Sequence, residues 1–326
     1  MITKRMLAGA VCWAALALAG PAAAETYPQR TITLVTGYSA GGPSDVAARA
    51  IVDRMTAELG QPIVIENVAG AGGMVGAARV AKAAPDGYTL LIHQNGLAIG
   101  SLLFPQMNID PRRDFAAVGT VNTSFSFLAV SKKVQADTLE ALVAWAKEPG
   151  RSLRFAHPGI GTLAHLQALM FVKAFGIQAE LVPYRGGAQA MNDVIAGHVD
   201  MVWAAPATAA ELIKGGQIKS VAFGARRRYE ALATVPSIAE LGHPELALDF
   251  WHVLLAPAKT PPEILQRLNA ALRKTLEDPQ VLKAYATLGL EAFPPEQRSG
   301  EAAAKLVADE VQRWEPIIKE NGIKAQ

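Results

Sequence analysis

Cysteine is nearly absent from this chain of 326 residues, and Cys12 is the only one. Because Cys12 lies in an apolar stretch near the N-terminus, we expect no disulfide and no thiol chemistry in the rest of the chain. No later segment approaches the ~20 apolar residues that a membrane-spanning helix needs. The six histidines are scattered, without H-x-x-x-H or H-E-x-x-H spacing, which argues against a metal site.

The first 24 residues have the pattern of a secretory signal. Lys4 and Arg5 precede an apolar run from Met6 to Gly20, and Ala22-Ala23-Ala24 follows. The pattern predicts cleavage near Ala24 and export to the periplasm, and the run is too short for a membrane anchor. Removing residues 1–24 leaves 29 basic and 29 acidic residues. Such a balance suits neither nucleic acid nor an anionic membrane surface, so we expect no nucleic-acid partner and no membrane insertion.

Strand and helix patterns alternate in two successive blocks, which predicts two α/β lobes. The first block has strand candidates at Thr31–Thr36, Pro62–Asn67 and Thr89–Gln94, with helical patterns at Ser44–Leu59 and Met74–Ala84. The second has strand candidates at Leu153–His157, Glu180–Tyr184, Met201–Ala204 and Ile218–Phe223, with helical patterns at Thr162–Phe175, Ala188–Ala196 and Thr208–Lys214.

Two extended stretches without helical period, Phe115–Ser131 and Leu248–Ala256, supply the two crossings that such lobes need. We therefore expect a two-lobed fold of the periplasmic-binding-protein type with a ligand cleft. The predicted order is a signal peptide (1–24), the first part of lobe 1 (25–120), lobe 2 (121–250) and a return to lobe 1 (251–326). Apolar stripes after Pro262 predict C-terminal helices that pack on lobe 1, with Leu265, Leu268, Leu272 and Leu276 on one and Val307, Val311, Trp314 and Ile318 on another.

Glycine-rich corners between strand and helix are the main functional signal. The first corner runs from Gly37 to Asp45, and the second runs from His157 to Thr162, with Thr162 as the predicted N-cap. Unpaired N–H groups and the positive end of the helix dipole suit an anion at each corner. Two such N-termini facing each other would hold a carboxylate at each end of a small molecule, so we expect a di- or tricarboxylate or an aromatic acid as the ligand.

A series of motifs resembles the Bug-type solute receptors of tripartite tricarboxylate transporters. The motifs are Tyr27-Pro28-Gln29-Arg30, Gly41-Gly42-Pro43-Ser44-Asp45, Leu59-Gly60-Gln61-Pro62, Gly70-Ala71-Gly72-Gly73, Ala84-Pro85-Asp86-Gly87-Tyr88, Gly159-x-Gly161-Thr162-x-x-His165 and Val182-Pro183-Tyr184-Arg185-Gly186. The resemblance implies that loops Tyr38–Asp45 and Gly159–His165 grip a ligand carboxylate, partly through ordered water. It also implies that the loaded receptor serves a two-component membrane permease and that the chain is not an enzyme.

The predicted ligand-binding residues come from these corners and from the strand ends near them: Tyr38, Ser39, Ala40, Gly41, Gly42, Ser44, Asp45, Gly161, Thr162, His165, Tyr184, Gly187, Ala188 and Trp203. A second rank is His93, Gln94, Asn95 and Arg185, since strand ends commonly line crevices. Many relatives carry Phe-Asp where this chain has Trp203-Ala204. Without that aspartate, this chain lacks an obvious partner for a ligand ammonium group, so we expect a plain organic acid as the ligand rather than an amino acid. Tyr38 and Trp203 then offer flat surface to an aromatic acid, or pack in the core.

The same glycine-rich corners are also consistent with two other functions. Gly37-Tyr38-Ser39-Ala40-Gly41 matches the G-x-S-x-G nucleophile elbow, and Asp249 and His252 follow in the order of a serine hydrolase. However, the elbow would sit on the first strand, which leaves no sequence for the strands that precede it in that fold. A receptor for an inorganic oxyanion also suits paired helix N-termini. Gly70–Gly76 has Val75 where a dinucleotide fingerprint needs its final glycine, so no cofactor is expected.

Overall fold

The computed structural model describes residues 27–320 and residue 323, so the predicted signal peptide, its cleavage site and Cys12 lie outside the described residues. The strands are β1 (Ile32–Thr36), β2 (Ile63–Asn67), β3 (Thr89–Gln94), β4 (Phe115–Ser124), β5 (Phe127–Val130), β6 (Leu153–His157), β7 (Ala179–Pro183), β8 (Met201–Ala204), β9 (Lys219–Phe223) and β10 (Phe250–Pro257). The helices are α1 (Pro43–Leu59), α2 (Met74–Ala81), α3 (Gly96–Leu103), α4 (Leu139–Ala146), α5 (Leu163–Phe175), α6 (Gly187–Ala196), α7 (Pro206–Lys214), α8 (Pro262–Thr275), α9 (Pro279–Leu288) and α10 (Gly300–Glu320).

Two five-stranded sheets form the two lobes. The first lobe has the order β2-β1-β3-β10-β4, and the second has the order β7-β6-β8-β5-β9. In the first lobe, β1 pairs in parallel with β2 and β3, as the alternating pattern predicts. β10 runs antiparallel to both β3 and β4. The predicted two-lobed α/β fold is confirmed, with sheets that are mixed rather than purely parallel.

The chain passes between the lobes twice. It leaves the first sheet after Ser124 and enters the second at Phe127, and it returns between Phe223 and Phe250. The predicted single crossing at Phe115–Ser131 is therefore two strands, β4 in one lobe and β5 in the other. The exact lobe limits, at residues 120 and 250, stay predictions.

Helices cover both faces of each sheet, as expected for strands that are apolar throughout. In the first lobe, α1, α8 and α9 pack on one face through residues such as Ile51, Leu268 and Tyr285. α2 and the first half of α10 pack on the other face, where Val80 and Val307 share a cluster.

The C-terminal helices depart from expectation in one respect. α8 packs on the first lobe, as its leucine stripe predicts. The second half of α10 reaches further, because Trp314 and Ile318 share a cluster with Leu163 and Leu166 of the second lobe. Trp314 and Ile318 therefore connect the two lobes rather than belonging to the first alone. Within the part of the chain that the structure describes, no helix combines the length and apolarity that a membrane crossing requires.

A buried polar network anchors α10 to the first lobe. The carboxylate of Glu310 accepts hydrogen bonds from Asn95 Nδ2 at 2.8 Å and from Trp314 Nε1 at 2.6 Å. Asn95 Oδ1 in turn accepts from the backbone N–H of Trp251 at 3.1 Å. Because all of these groups are buried, each depends on its partner for hydrogen bonding.

Replacing Glu310 with alanine is expected to lower the free energy of unfolding by about 2–4 kcal/mol, since two buried donors lose their acceptor. Glu310→Gln keeps one acceptor oxygen and should cost clearly less. Urea unfolding followed by circular dichroism measures both. Glu301→Ala, at an exposed site on the same helix, is the control and should change little. Equal losses in the two Glu310 variants would contradict the assigned network.

Candidate functional site

Four helices begin at one cavity between the lobes. The cavity measures about 50 Å³, several times the ~10–15 Å³ that one water occupies on this measure. The helix starts that line it are Gly42 and Pro43 of α1, Thr162, Leu163 and Ala164 of α5, Gly186 and Gly187 of α6, and Ala205 and Thr208 of α7. Each start presents the positive end of a helix dipole to the same small volume.

Local sequence explains why the helices begin there. Gly42 and Gly186 are N-caps without a capping side chain, so the first-turn amides of α1 and α6 are not covered by their own helices. Thr162 caps α5, because its Oγ1 accepts from the backbone N–H of His165 and donates to the carbonyl of Gly159. That cap serves the third amide of α5, so the first two amides, of Leu163 and Ala164, remain for a ligand.

Tyr38 separates this inner cavity from an outer groove of about 700 Å³, since it lines both. Its hydroxyl donates to the carbonyl of Gly72 at 2.7 Å, and its ring lies 5.4 Å from the ring of His93. Burial raises the pKa of the Tyr38 hydroxyl above its usual range. Tyr38 is therefore a neutral side chain in the wall of both spaces.

The lobes touch at the mouth of the cavity. Ser39 Oγ of the first lobe donates to the carbonyl of Arg185 in the second at 2.9 Å. Gly72 has φ +63°, and a Cβ there would lie 2.4 Å from the carbonyl oxygen of Ile160. A side chain at Gly72 would push the lobes apart, so glycine permits the close approach of the two backbones. The two lobes are thus in direct contact at the mouth of the cavity.

Asp45 supports the first corner from inside. Its carboxylate accepts from the backbone N–H of Gly41 at 3.0 Å, from Arg49 Nε at 2.8 Å and from Asn67 Nδ2 at 3.1 Å. Burial acts to raise the pKa of the Asp45 carboxyl, but the hydrogen bonds from Arg49, Gly41 and Asn67 outweigh it and hold that pKa below its usual range. Its charge is satisfied within the protein and not directed to the cavity.

The structure separates the predicted site residues into three groups. Those that line the inner cavity are Tyr38, Gly42, Gln94, Thr162, Gly187 and Trp203. Those that line the outer groove are Tyr38, Ser39, Tyr184 and Arg185. Those that line neither space are Ala40, Gly41, Ser44, Asp45, His93, Asn95, Gly161, His165 and Ala188. Ligand contact by any of these residues stays a prediction.

Several residues of the third group have other partners. Ser44 Oγ lies 3.0 Å from His252 Nε2, and the backbone N–H of Gly161 donates to His165 Nδ1 at 3.4 Å. The His165 ring also lies 4.4 Å from the ring of His157. Burial, together with nearby His157, lowers the pKa of His165 to about 3, so its ring is neutral at physiological pH. His165 thus supports the second corner from beneath.

Trp203 and Gln94 are two buried lining residues with an unused polar atom. Trp203 is 2% exposed and Gln94 is 4% exposed. Neither Trp203 Nε1 nor Gln94 Oε1 has a hydrogen-bond partner among the residues described. The Trp203 ring also packs edge-on against Phe171, with centroids 6.2 Å apart. Trp203 therefore belongs to the core of the second lobe and to the cavity wall at once.

Sequence reasoning missed the lining residues nearest the crossings. Phe125 and Ser126 lie on the first crossing and Phe250 on the second, and all three line the inner cavity. No motif marks them. Their place between the two blocks of strands was the only available signal.

The residues proposed for a serine hydrolase are not assembled. Ser39 Oγ is bound to the Arg185 carbonyl, whereas His252 Nε2 is bound to Ser44 Oγ. A nucleophile needs its base within hydrogen-bond reach. Across residues 27–320, no group of three or more histidine, cysteine, aspartate or glutamate side chains is placed to hold a metal ion.

Replacing Asp45 with asparagine is expected to lower the free energy of unfolding at pH 7 by roughly 1–2 kcal/mol, a range that allows for the solvent exposure of Arg49. Because the pKa of Asp45 is lowered by folding, its contribution is complete above the unfolded value of 3.8 and is lost as the pH falls below it. The difference from wild type should therefore shrink toward pH 3. Urea unfolding at pH 7, 5 and 3 measures it.

Asp53→Asn is the matched control, since Asp53 is exposed on the same helix. A difference between wild type and Asp45→Asn that stays constant from pH 7 to pH 3 would contradict the assigned ionic role.

Comparison with known proteins places these features in a family. Residues 47–323 match the family model described as tripartite tricarboxylate transporter family receptor. Protein BugT of Bordetella pertussis is 33% identical over 311 residues, which cover 94% of this chain and 94% of BugT.

Solved structures of similar proteins agree with this family match. The periplasmic binding protein BugD has a TM-score of 0.88 and 30% identity, covering 92% of this chain and 100% of that one. MatC of Rhodopseudomonas palustris, solved with bound malate, has a TM-score of 0.85 and 33% identity, covering 90% of this chain and 100% of that one. The motifs, the two-lobed fold and these matches together assign the chain to the tripartite tricarboxylate transporter family of solute receptors.

Proposed function

We propose that this chain is a periplasmic, non-catalytic receptor that captures a small organic carboxylate and presents it to a two-component membrane permease. The observation that carries the proposal is the meeting of four helix N-termini at one cavity with no acidic side chain among its described lining residues. Helix dipoles and free amides favour an anion there without a buried cation.

The second lobe offers the amide donors that line the cavity, and the first lobe contributes the positive end of α1. The first-turn amides of Leu163, Ala164 and Gly187 line the cavity and have no backbone acceptor among the described residues. In α1, Pro43 has no N–H, and Ser44, whose amide also has no backbone acceptor, is not among the lining residues. A carboxylate accepts up to four hydrogen bonds, so a few of these amides would replace its hydration. Since α1 and α6 belong to different lobes, a ligand held by both stabilises the closed state, and closure would signal occupancy to the permease.

The relatives support this assignment of ligand class and compartment. MatC was solved with malate, a carboxylate, and BugD is a periplasmic binding protein. The predicted signal at residues 1–24 would deliver this chain to the same compartment. Because the family is one of solute receptors, we infer that binding rather than turnover is the function.

An inorganic oxyanion is the less suitable ligand. Phosphate would also accept from helix N-termini. However, Phe125, Trp203 and Phe250 line the same cavity, and aromatic surface offers nothing to the remaining phosphate oxygens. Competition between phosphate and carboxylates for the refolded protein separates these ligands.

Deaminated acids are expected to bind at least tenfold more tightly than the matching amino acids. A ligand ammonium would face four positive helix ends, and Ala204 supplies no carboxylate to pair with it. Calorimetric titration of refolded protein with the pairs succinate and aspartate, and 3-phenylpropionate and phenylalanine, measures the ratio. An amino acid that binds more tightly than its deaminated partner would overturn the proposed ligand class.

Ser39→Ala is expected to weaken ligand binding about 2–10-fold, because one interlobe hydrogen bond is lost from the closed state. Ser152→Ala, at an exposed site, should leave the affinity unchanged. Neither variant nor the wild type should hydrolyse an activated ester above the background rate. Turnover by wild type that disappears in Ser39→Ala would instead establish the hydrolase.

A further inference from the structure

The inner cavity differs in character from its mouth. Phe125 and Phe250 lie on the two crossings between the lobes, so the end of the cavity at the crossings, the hinge end, has aromatic rings in its wall. Trp203, the penultimate residue of β8, lines the same cavity. None of the described residues that line the cavity has a charged side chain. Any charge on the hinge-end part of a ligand would therefore be buried without a counter-ion, which is costly.

The neutral polar side chains at this end are largely occupied. Ser126 Oγ donates to Gln167 Oε1 at 2.9 Å, and Gln167 Nε2 donates to the carbonyl of Leu246 at 3.1 Å. Thr208 Oγ1 donates to the carbonyl of Ala205 at 2.9 Å. The Ser126 and Thr208 hydroxyls would have to give up a protein partner before they could bind a carboxylate, which leaves the second N–H of Gln167 Nε2 as the spare side-chain donor of these three residues.

The backbone amides at the N-terminus of α7 do not replace these side-chain donors. It begins at Pro206, which has no N–H. The amides of Thr208 and Ala209 both donate to the carbonyl of Ala205. Only Ala207 is left in the first turn, whereas a second carboxylate would need several donors.

Two buried polar atoms on lining residues have no partner among the described residues: the N–H of Trp203 and Oε1 of Gln94, both on residues more than nine-tenths buried. One is a single donor and the other is an acceptor. An anion would gain one bond from Trp203 and be repelled by the Gln94 oxygen. A neutral hydroxyl or carbonyl group suits this pair better, since a hydroxyl both donates and accepts.

We propose that the site selects monocarboxylates. The single carboxylate lies at the N-termini of α1, α5 and α6, and the rest of the ligand is uncharged and packs on Phe125, Trp203 and Phe250. A neutral oxygen on that part of the ligand bonds to Trp203 Nε1. This inference rests on the proposed function and narrows it, since the proposed function admits ligands with one, two or three carboxylates.

Matched pairs of acids test the selection. Each pair differs only by a methyl group or a hydrogen in place of the second carboxylate, from 2-hydroxybutyrate and malate to benzoate and terephthalate. Calorimetric titration at pH 7, after unfolding and refolding to remove carried-over ligand, measures both affinities. We expect the tightest acid to be a monocarboxylate, bound at least tenfold more tightly than its dicarboxylate partner.

A dicarboxylate that binds as tightly as its partner, or more tightly, would overturn the inference and leave the receptor function standing. Binding of no carboxylate in the panel would overturn both.

Trp203→Phe separates ligand contact from core packing, because it keeps an aromatic ring and removes the N–H. It should weaken binding of a hydroxyl-bearing monocarboxylate about 3–10-fold and hardly affect the parent acid without the hydroxyl. Trp145→Phe, on α4 outside the cavity lining, is the control and should change neither affinity. Equal affinity of wild type and Trp203→Phe for the hydroxyl-bearing acid would reject the role of Nε1.

Discussion

Every α-helix leaves its first N–H groups without partners inside the helix, and this constraint organises the whole site. In the second lobe, β6 is parallel to β7 and β8. Because α5, α6 and α7 each follow one of these strands, they all begin at the same edge of the sheet. In the first lobe, α1 begins after β1 in the same way. Bringing the two edges together creates a cavity with a positive field that no ionised side chain has to provide.

Such a site tolerates closure only if the backbones can approach and nearby charges are neutralised elsewhere. Glycine at 72 allows the first lobe to reach the Ile160 carbonyl, and Ser39 adds a hydrogen bond between the lobes. Asp45, the acid nearest the first corner, is paired with Arg49 and holds the Gly41 amide. Its negative charge therefore shapes the loop without opposing an anion in the cavity. Asp45 thus fixes the backbone of this loop, whereas the N-terminus of α1 that follows the loop provides the positive field.

Much of this was readable from the sequence, because local patterns decide it. β3, β6 and β8 have the predicted bounds, and Thr162 caps α5 as its position before an apolar stripe predicts. Helix α3 was missed since Gly96–Leu103 is buried on nearly every side and so lacks an amphipathic period. α2 ends at Ala81, three residues before the predicted Ala84. The aromatic wall at Phe125 and Phe250 could not be predicted, because it depends on how two distant crossings meet. Similarly, the pairing of Ser44 with His252 joins residues 208 positions apart.

Trp203 shows how the core and the site share one residue. From sequence, core packing and ligand contact were alternatives, but the ring packs on Phe171 while the residue also lines the cavity. A wall fixed by core packing cannot move far to accommodate a different ligand, since interiors are close-packed. Discrimination at the hinge end then depends on shape and on the absence of charge rather than on adaptable side chains. The part of recognition that can adapt is the movement of the lobes, because closing them over the carboxylate requires only backbone N–H donors.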